Sequence, residues 1–147
     1  ASVPTGLYAI RGKASLHVGE RVAIEPPTAL RQILAARGYL PAGVPLIKRI
    51  AAVSGQRVCR FGHGVTIDGN FAGVARARDH LGRPLPAWFG CRTVRSGELF
   101  VMNPAASDSF DGRYFGALRI TDVIGRATPI WTDEAGDGDH KWFADPL

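Results

Sequence analysis

Glycine or proline interrupts nearly every apolar run of this chain, so its hydrophobic residues come in strand-length pieces. Eighteen glycines and ten prolines fall among 147 residues, and neither residue type suits a helix interior. Between the breaks, residues 7–10, 21–24, 57–61, 65–67, 71–74, 97–102 and 121–131 are rich in β-branched, aromatic and other apolar side chains, and each reads as a strand. Asp68-Gly69 is the dipeptide that a tight hairpin turn selects. One segment escapes the interruptions: residues 28–37 carry Leu30, Ile33 and Leu34 on one helical face, with Thr28 as N-cap and Gly38 as C-cap. The pattern predicts a mainly β fold of barrel type with one short helix. Charge divides the chain once. From Thr132 onward there are five carboxylates and one lysine, a net of −4, whereas the whole chain is at +5 and the body before it at +9. We therefore expect one domain over residues 1–131 and a solvated acidic tail over 132–147.

The sharpest conflict inside this pattern is PLIKRIAAVSG at 45–55, a strand with two cations in its middle. Alternation puts Leu46, Lys48 and Ile50 on one face and Ile47, Arg49 and Ala51 on the other, so whichever face packs inward takes a cation with it. Lys48 then has two outcomes. It snorkels from a sheet edge, or it is buried, loses hydration and becomes a neutral amine able to act as a general base. Arginine has no such option, because guanidinium keeps its proton.

At the start of the chain, Ser2 precedes Val3-Pro4, and Gly6 leads into the first strand. Proline holds the residue before it extended, and glycine permits a close backbone approach. A serine on such a turn presents its hydroxyl and its own N–H in a fixed direction, as a nucleophile with an oxyanion site requires. A plain turn fits the same residues.

Other chemistries find little footing. The sequence pI is about 9.8 and fifteen of the eighteen cations are arginine, but no helix carries a basic run and no aromatic-basic ladder occurs, so nucleic acid is not an expected partner. Cys59 and Cys91 lack metal-ligand spacing, and His17, His63, His80 and His140 form no metal-binding pair, so neither a metal nor another cofactor is implied. No apolar run approaches the roughly 20 residues that span a bilayer.

Three segments combine into something more specific. SVPTGLY at 2–8, PLIKRIAAVSGQRV at 45–58 and GELFVMNPAASDSFDGRYFG at 97–116, followed by IGRATPIW, resemble in order the motif boxes of type I signal peptidases. The likeness is greatest to the conjugal-transfer branch, the TraF-type pilin-maturing peptidases. The resemblance implies a signal-peptidase-like, partly open β-barrel and a serine–lysine dyad, with Ser2 as nucleophile and Lys48 as general base. It implies that Ser109 hydrogen-bonds the lysine and that Asp111 and Arg113 support the site. Two features depart from the common pattern: Val3 stands where housekeeping members carry methionine, and members often take a second oxyanion donor from a residue just upstream of the serine, whereas this chain begins one residue before it. The resemblance further implies a membrane helix immediately before Ser2, a place on the periplasmic face of the inner membrane, and a peptide or protein substrate such as a pilin subunit. The opening ASVP, without an initiator methionine, then reads as a soluble, truncated piece of an anchored enzyme.

Such sites take an extended peptide as an added strand and admit small side chains beside the scissile bond, and Val3, Leu7 and Leu46 are the expected walls of those pockets. An even cysteine count in an exported domain predicts a Cys59–Cys91 disulfide. Two other functions remain open to these residues. A self-cleaving repressor-type peptidase would use the same dyad but carry a cleavable segment and DNA-binding helices upstream. A non-enzymatic basic β module would bind nucleic acid or protein through its arginines and would not react with a serine-directed probe.

Overall fold

In the computed structural model, which describes residues 2–144, the short apolar runs do form strands. In chain order the elements are β1 (Thr5–Arg11), β2 (Arg21–Ile24), α1 (Thr28–Ala36), β3 (Leu46–Ala52), β4 (Arg57–Phe61), β5 (Gly64–Ile67), β6 (Asn70–Val74), β7 (Gly90–Thr93), β8 (Glu98–Val101), α2 (Gly112–Phe115), β9 (Leu118–Arg119), β10 (Val123–Asp133) and β11 (Lys141–Trp142). They build two antiparallel sheets. The larger runs β1-β10-β2-β3-β8-β9, with β11 paired to β10, and the smaller runs β6-β5-β4-β7. The fold is mainly β, as the composition requires.

Two cores result, the second shared between the sheets. Val22, Ile24, Leu46, Ile50, Leu99 and Val101 of the larger sheet pack against Leu30 and Leu34 of α1 and against Phe110 and Tyr114. Val58 and Val65 of the smaller sheet pack with Ala52, Val94, Phe100 and Met102. The β5–β6 hairpin turns at Asp68-Gly69, with φ of +50° and +80°, the paired left-handed conformations that favour this dipeptide. Gly6 meets both demands placed on it: its φ is +146°, and a Cβ there would lie 2.2 Å from the Trp131 carbonyl oxygen on β10. The chain entering β1 can therefore lie close against β10 only with glycine at this position.

Four boundaries differ from expectation. Thr28 is the first helical residue rather than the N-cap; Pro27 occupies the cap with φ −59° and ψ 157° and no side-chain bond closes the helix start, because a proline pair keeps the backbone extended up to its last residue. Residues 76–96, expected to be irregular throughout, contain β7, held against β4 by backbone pairing. The last long strand starts at Val123 and continues to Asp133, so the expected boundary after residue 131 falls inside it. Residues 134–144 fold back, with β11 paired to β10, instead of trailing into solvent. Thr132 and Asp133 are buried, the Asp133 carboxylate accepts N–H bonds from Gly136, Asp137 and Gly138, and His140 stacks on Trp131 with ring centroids 4.1 Å apart. Five carboxylates masked this: one of them serves as an internal turn acceptor, a role that composition does not reveal.

Candidate active site

Strand β3 is the central element. It pairs with β2 over residues 46–49 and with β8 at Ile50 and Ala52; beside Lys48 on the β8 side the Asn103 side chain bonds the Arg49 N–H and the Ile47 carbonyl, so Lys48 has no open edge from which to snorkel. Leu46, Lys48, Ile50 and Ala52 alternate inward, and Lys48 is 3 % exposed. Its cross-strand partner is Val22. Removal from water, opposed in part by the Asp111 charge, brings its pKa from the ordinary 10.5 down to about 8; Arg113 adds to the lowering and Asp108 opposes it. Arg49 points the other way and donates to the Gly19 carbonyl at 2.9 Å.

The Lys48 amine has two hydroxyl neighbours. Nζ donates to Ser2 Oγ at 2.9 Å and to Ser109 Oγ at 2.9 Å. Ser2 is half-buried, just ahead of β1, and Ser109 lies in the turn-rich segment after β8. Residues 46, 61 and 107 positions apart in sequence thus meet because β1, β3 and the segment after β8 converge on one end of the larger sheet. Ser109 is held indirectly. The Arg113 Nη2 group donates to the carbonyls of Ser109 and Ala106, at 3.3 Å each, and Nε and Nη2 fork onto Asp111 at 2.9 and 2.8 Å. Asp111 is fully buried and Arg113 nearly so. Burial works against the guanidinium charge, but the hydrogen bonds and charge of Asp111 prevail and raise the Arg113 pKa. This pair makes its closest contacts with itself, so Lys48 can be neutral without leaving a carboxylate unmatched.

A groove of about 500 Å³ opens beside these groups. Val3 and Leu46 line it together with Ser2, Lys48, Ser109 and Phe110. Leu7 does not. Gly6 and Tyr8 border the groove, and alternation sends the residue between them to the opposite face, where Leu7 is 56 % exposed beside its β10 partner Trp131. Cys59 and Cys91 form a disulfide, directly opposite one another across β4 and β7 with Cα atoms 4.0 Å apart. That bond belongs to the smaller sheet. Among the described residues no cluster of His, Cys, Asp and Glu could hold a metal ion.

The sequence matches the family described as "Signal peptidase, peptidase S26" over residues 1–132. The chain belongs to this signal peptidase family. Among curated relatives, a "Probable conjugal transfer protein TraF" from Sinorhizobium fredii is 38% identical over 99 residues, covering 60% of this chain and 52% of the relative. The matched region thus spans about half the length of that relative. A crystal structure of a signal peptidase I from Enterococcus faecalis aligns with 78% of this chain and 98% of its own, at 17% identity and a TM-score of 0.45. No helix among the described residues is long and apolar enough to cross a membrane.

One site residue escaped the sequence reading. Asn103 donates from Nδ2 to Ser2 O at 3.1 Å and to Ser2 Oγ at 3.4 Å. In sequence it opens an Asn-Pro dipeptide, which signals a turn and hides any role for the side chain.

Proposed function

We propose that this chain is the catalytic domain of a serine endopeptidase that processes exported substrates by acyl transfer, with Ser2 as nucleophile and Lys48 as general base. The observation that carries this reading is the 2.9 Å contact between the Ser2 hydroxyl and a buried lysine amine whose pKa lies near 8. In its neutral form the amine takes the Ser2 proton as Oγ attacks the scissile carbonyl. The resulting ammonium hands that proton to the leaving amine, and the acyl-enzyme remains. A second nucleophile, water or an amine of the substrate, gives its proton to Lys48 as it attacks the ester carbonyl, and Lys48 returns that proton to Ser2 Oγ as the acyl group leaves. Ser109 keeps the amine directed without adding a charge that would hold it protonated. The substrate lies extended in the groove, and the walls at Val3 and Leu46 admit small side chains beside the scissile bond. Family membership and the conjugal-transfer name of the Sinorhizobium relative support a leader-bearing or pilin-like substrate, handled at the periplasmic face of the inner membrane by a protein anchored upstream of Ser2.

The test is the full-length protein with an activated alanyl-peptide nitrophenyl ester, following the burst of nitrophenolate. The acylation rate should rise with pH along one ionisation near pH 8, since only the unprotonated amine accepts the serine proton. Lys48→Arg should fail as badly as Lys48→Ala, and removing Ser2 and Lys48 together should cost little more than removing either. Near-normal turnover by Lys48→Ala would end this reading.

A further inference from the structure

Ser2 stands outside the sheet ladder, which begins at Thr5, so side chains must fix where its hydroxyl points. Besides the Lys48 bond, two contacts tie the segment down. The Tyr8 hydroxyl donates to the Pro4 carbonyl at 2.7 Å, and Asn103 reaches Ser2 itself. Asn103 is 7 % exposed. Its backbone is pinned by the buried ion pair: the N–H donates to Asp111 Oδ2 at 3.0 Å, and the carbonyl accepts from Arg113 Nη2 at 3.5 Å. Its side chain faces β3 and the start of the chain. Oδ1 accepts the Arg49 N–H at 2.9 Å, while Nδ2 lies 3.1 Å from Ser2 O, 3.4 Å from Ser2 Oγ and 3.4 Å from Ile47 O.

The amide's orientation follows from its partners. A backbone N–H can only donate and two backbone carbonyls can only accept, so a flipped amide would set oxygen against oxygen twice and N–H against N–H once. The NH₂ end therefore faces Ser2. Its two N–H groups serve three oxygens, so the one toward Ser2 is shared between the carbonyl and Oγ; the share at Oγ occupies one lone pair and leaves the hydroxyl proton to point at Lys48. It also stabilises the charge that gathers on Oγ as that proton leaves.

We propose that Asn103 is a positioning residue for the nucleophile: it holds Ser2 against Lys48 and directs the hydroxyl proton toward the amine. This rests on the assignment of Ser2 and Lys48 as a dyad. The Ser2 proton passes to the Lys48 lone pair, the freed Oγ pair bonds the acyl carbon, and Asn103 keeps its own protons throughout.

Two substitutions separate positioning from mere support, with the nitrophenyl ester as probe. Asn103→Ala deletes the donor. We expect the plateau acylation rate to fall about tenfold, the lower end of what a single lost donor costs at a reacting oxygen, with the rising limb of the pH profile unmoved. Asn103→Asp is isosteric and keeps the acceptor for the Arg49 N–H, but as a carboxylate it opposes the Ser2 and Ile47 carbonyls and favours a charged Lys48. Lys48 already feels Asp111 and Asp108 of one sign and Arg113 of the other, with the hydroxyls of Ser2 and Ser109 at bonding distance. A further anion should move the limb upward by about one pH unit, a shift that a loss of general stability cannot produce. Should Asn103→Ala unfold in a thermal melt, Asn103→Asp carries the test alone. Wild-type acylation by folded Asn103→Ala, or an unmoved limb in Asn103→Asp, would overturn the proposal. Ser2→Ala and Lys48→Ala run alongside: if they acylate normally the dyad has failed, whereas if they are dead and the Asn103 variants match wild type, only this inference has.

Discussion

In the proposed dyad, Lys48 is where function and stability oppose each other most directly. In the unfolded chain its amine titrates near the ordinary 10.5, and in the folded protein near 8, chiefly through burial. Between those values the unfolded state binds more protons, so stability rises with pH across that window. Above it the amine is neutral in both states and the penalty vanishes; below it the penalty is complete, about 3 kcal/mol at about 1.4 kcal/mol per pKa unit. Lys48→Met keeps the shape and removes the charge. It should stabilise the protein at pH 7 by an amount reduced by the lost bonds to Ser2 and Ser109, and that advantage should shrink between pH 8 and pH 10.5. Urea unfolding of both proteins at pH 7 and pH 10 measures it. An advantage that did not shrink with rising pH would mean that Lys48 is not desolvated as described.

The segment from Asn103 to Phe115, including α2, is organised by one ion pair. Asp111 caps α2 by accepting the Arg113 N–H, and the Arg113 guanidinium reaches back to the carbonyls of residues 103, 106 and 109 and across to Val74 at 2.9 Å. Gly112 fits between them because a Cβ there would lie 2.7 Å from both Phe100 Cε2 and the Val101 oxygen. Removing either charge leaves the other buried and uncompensated, at a cost of about 3–5 kcal/mol. Arg113→Ala and Asp111→Ala should each destabilise by that much, and the double variant by well under their sum. Denaturant titration of all four proteins closes the cycle. Arg113→Ala should also lose acylation activity even where it remains folded, because Ser109 is then free to drift from Lys48.

The candidate site and the disulfide lie on different sheets, linked by the bonds of Arg113 to Arg60 and Val74. Ser2, Lys48, Ser109 and Asn103 gather on the larger sheet, whereas Cys59 and Cys91 join β4 to β7 in the smaller one, across 32 positions of sequence. Closing that loop restricts the unfolded chain and contributes about 2–4 kcal/mol. The Cys59→Ala/Cys91→Ala variant should melt lower by that measure and yet acylate at the wild-type rate while folded. A collapse of activity at temperatures where the variant is still folded would show that the disulfide supports the site through the bonds of the smaller sheet to Arg113.

Much of this was legible before any coordinates. Gly/Pro spacing set the strand lengths, the alternation at 46–52 placed Lys48 between Leu46 and Ile50, and Asp68-Gly69 marked its hairpin, because these are local steric effects carried by neighbouring residues. Whether Lys48 was buried was not local: it depended on β2, β8 and the Asn103 side chain covering the edges of β3, which no feature of 45–55 encodes. Leu7 was misjudged for a related reason, since alternation says that Leu7 opposes Gly6 and Tyr8 but not which face meets the groove. The strand after residue 131 was hidden because a carboxylate accepting three backbone N–H groups looks, in sequence, like any solvated acid. Asn103 was hidden because its partners lie on β3 and at Ser2, brought within 3.4 Å by the sheet alone. Side-chain type and spacing determine what a residue is able to donate or accept; chain topology determines which partner stands within reach.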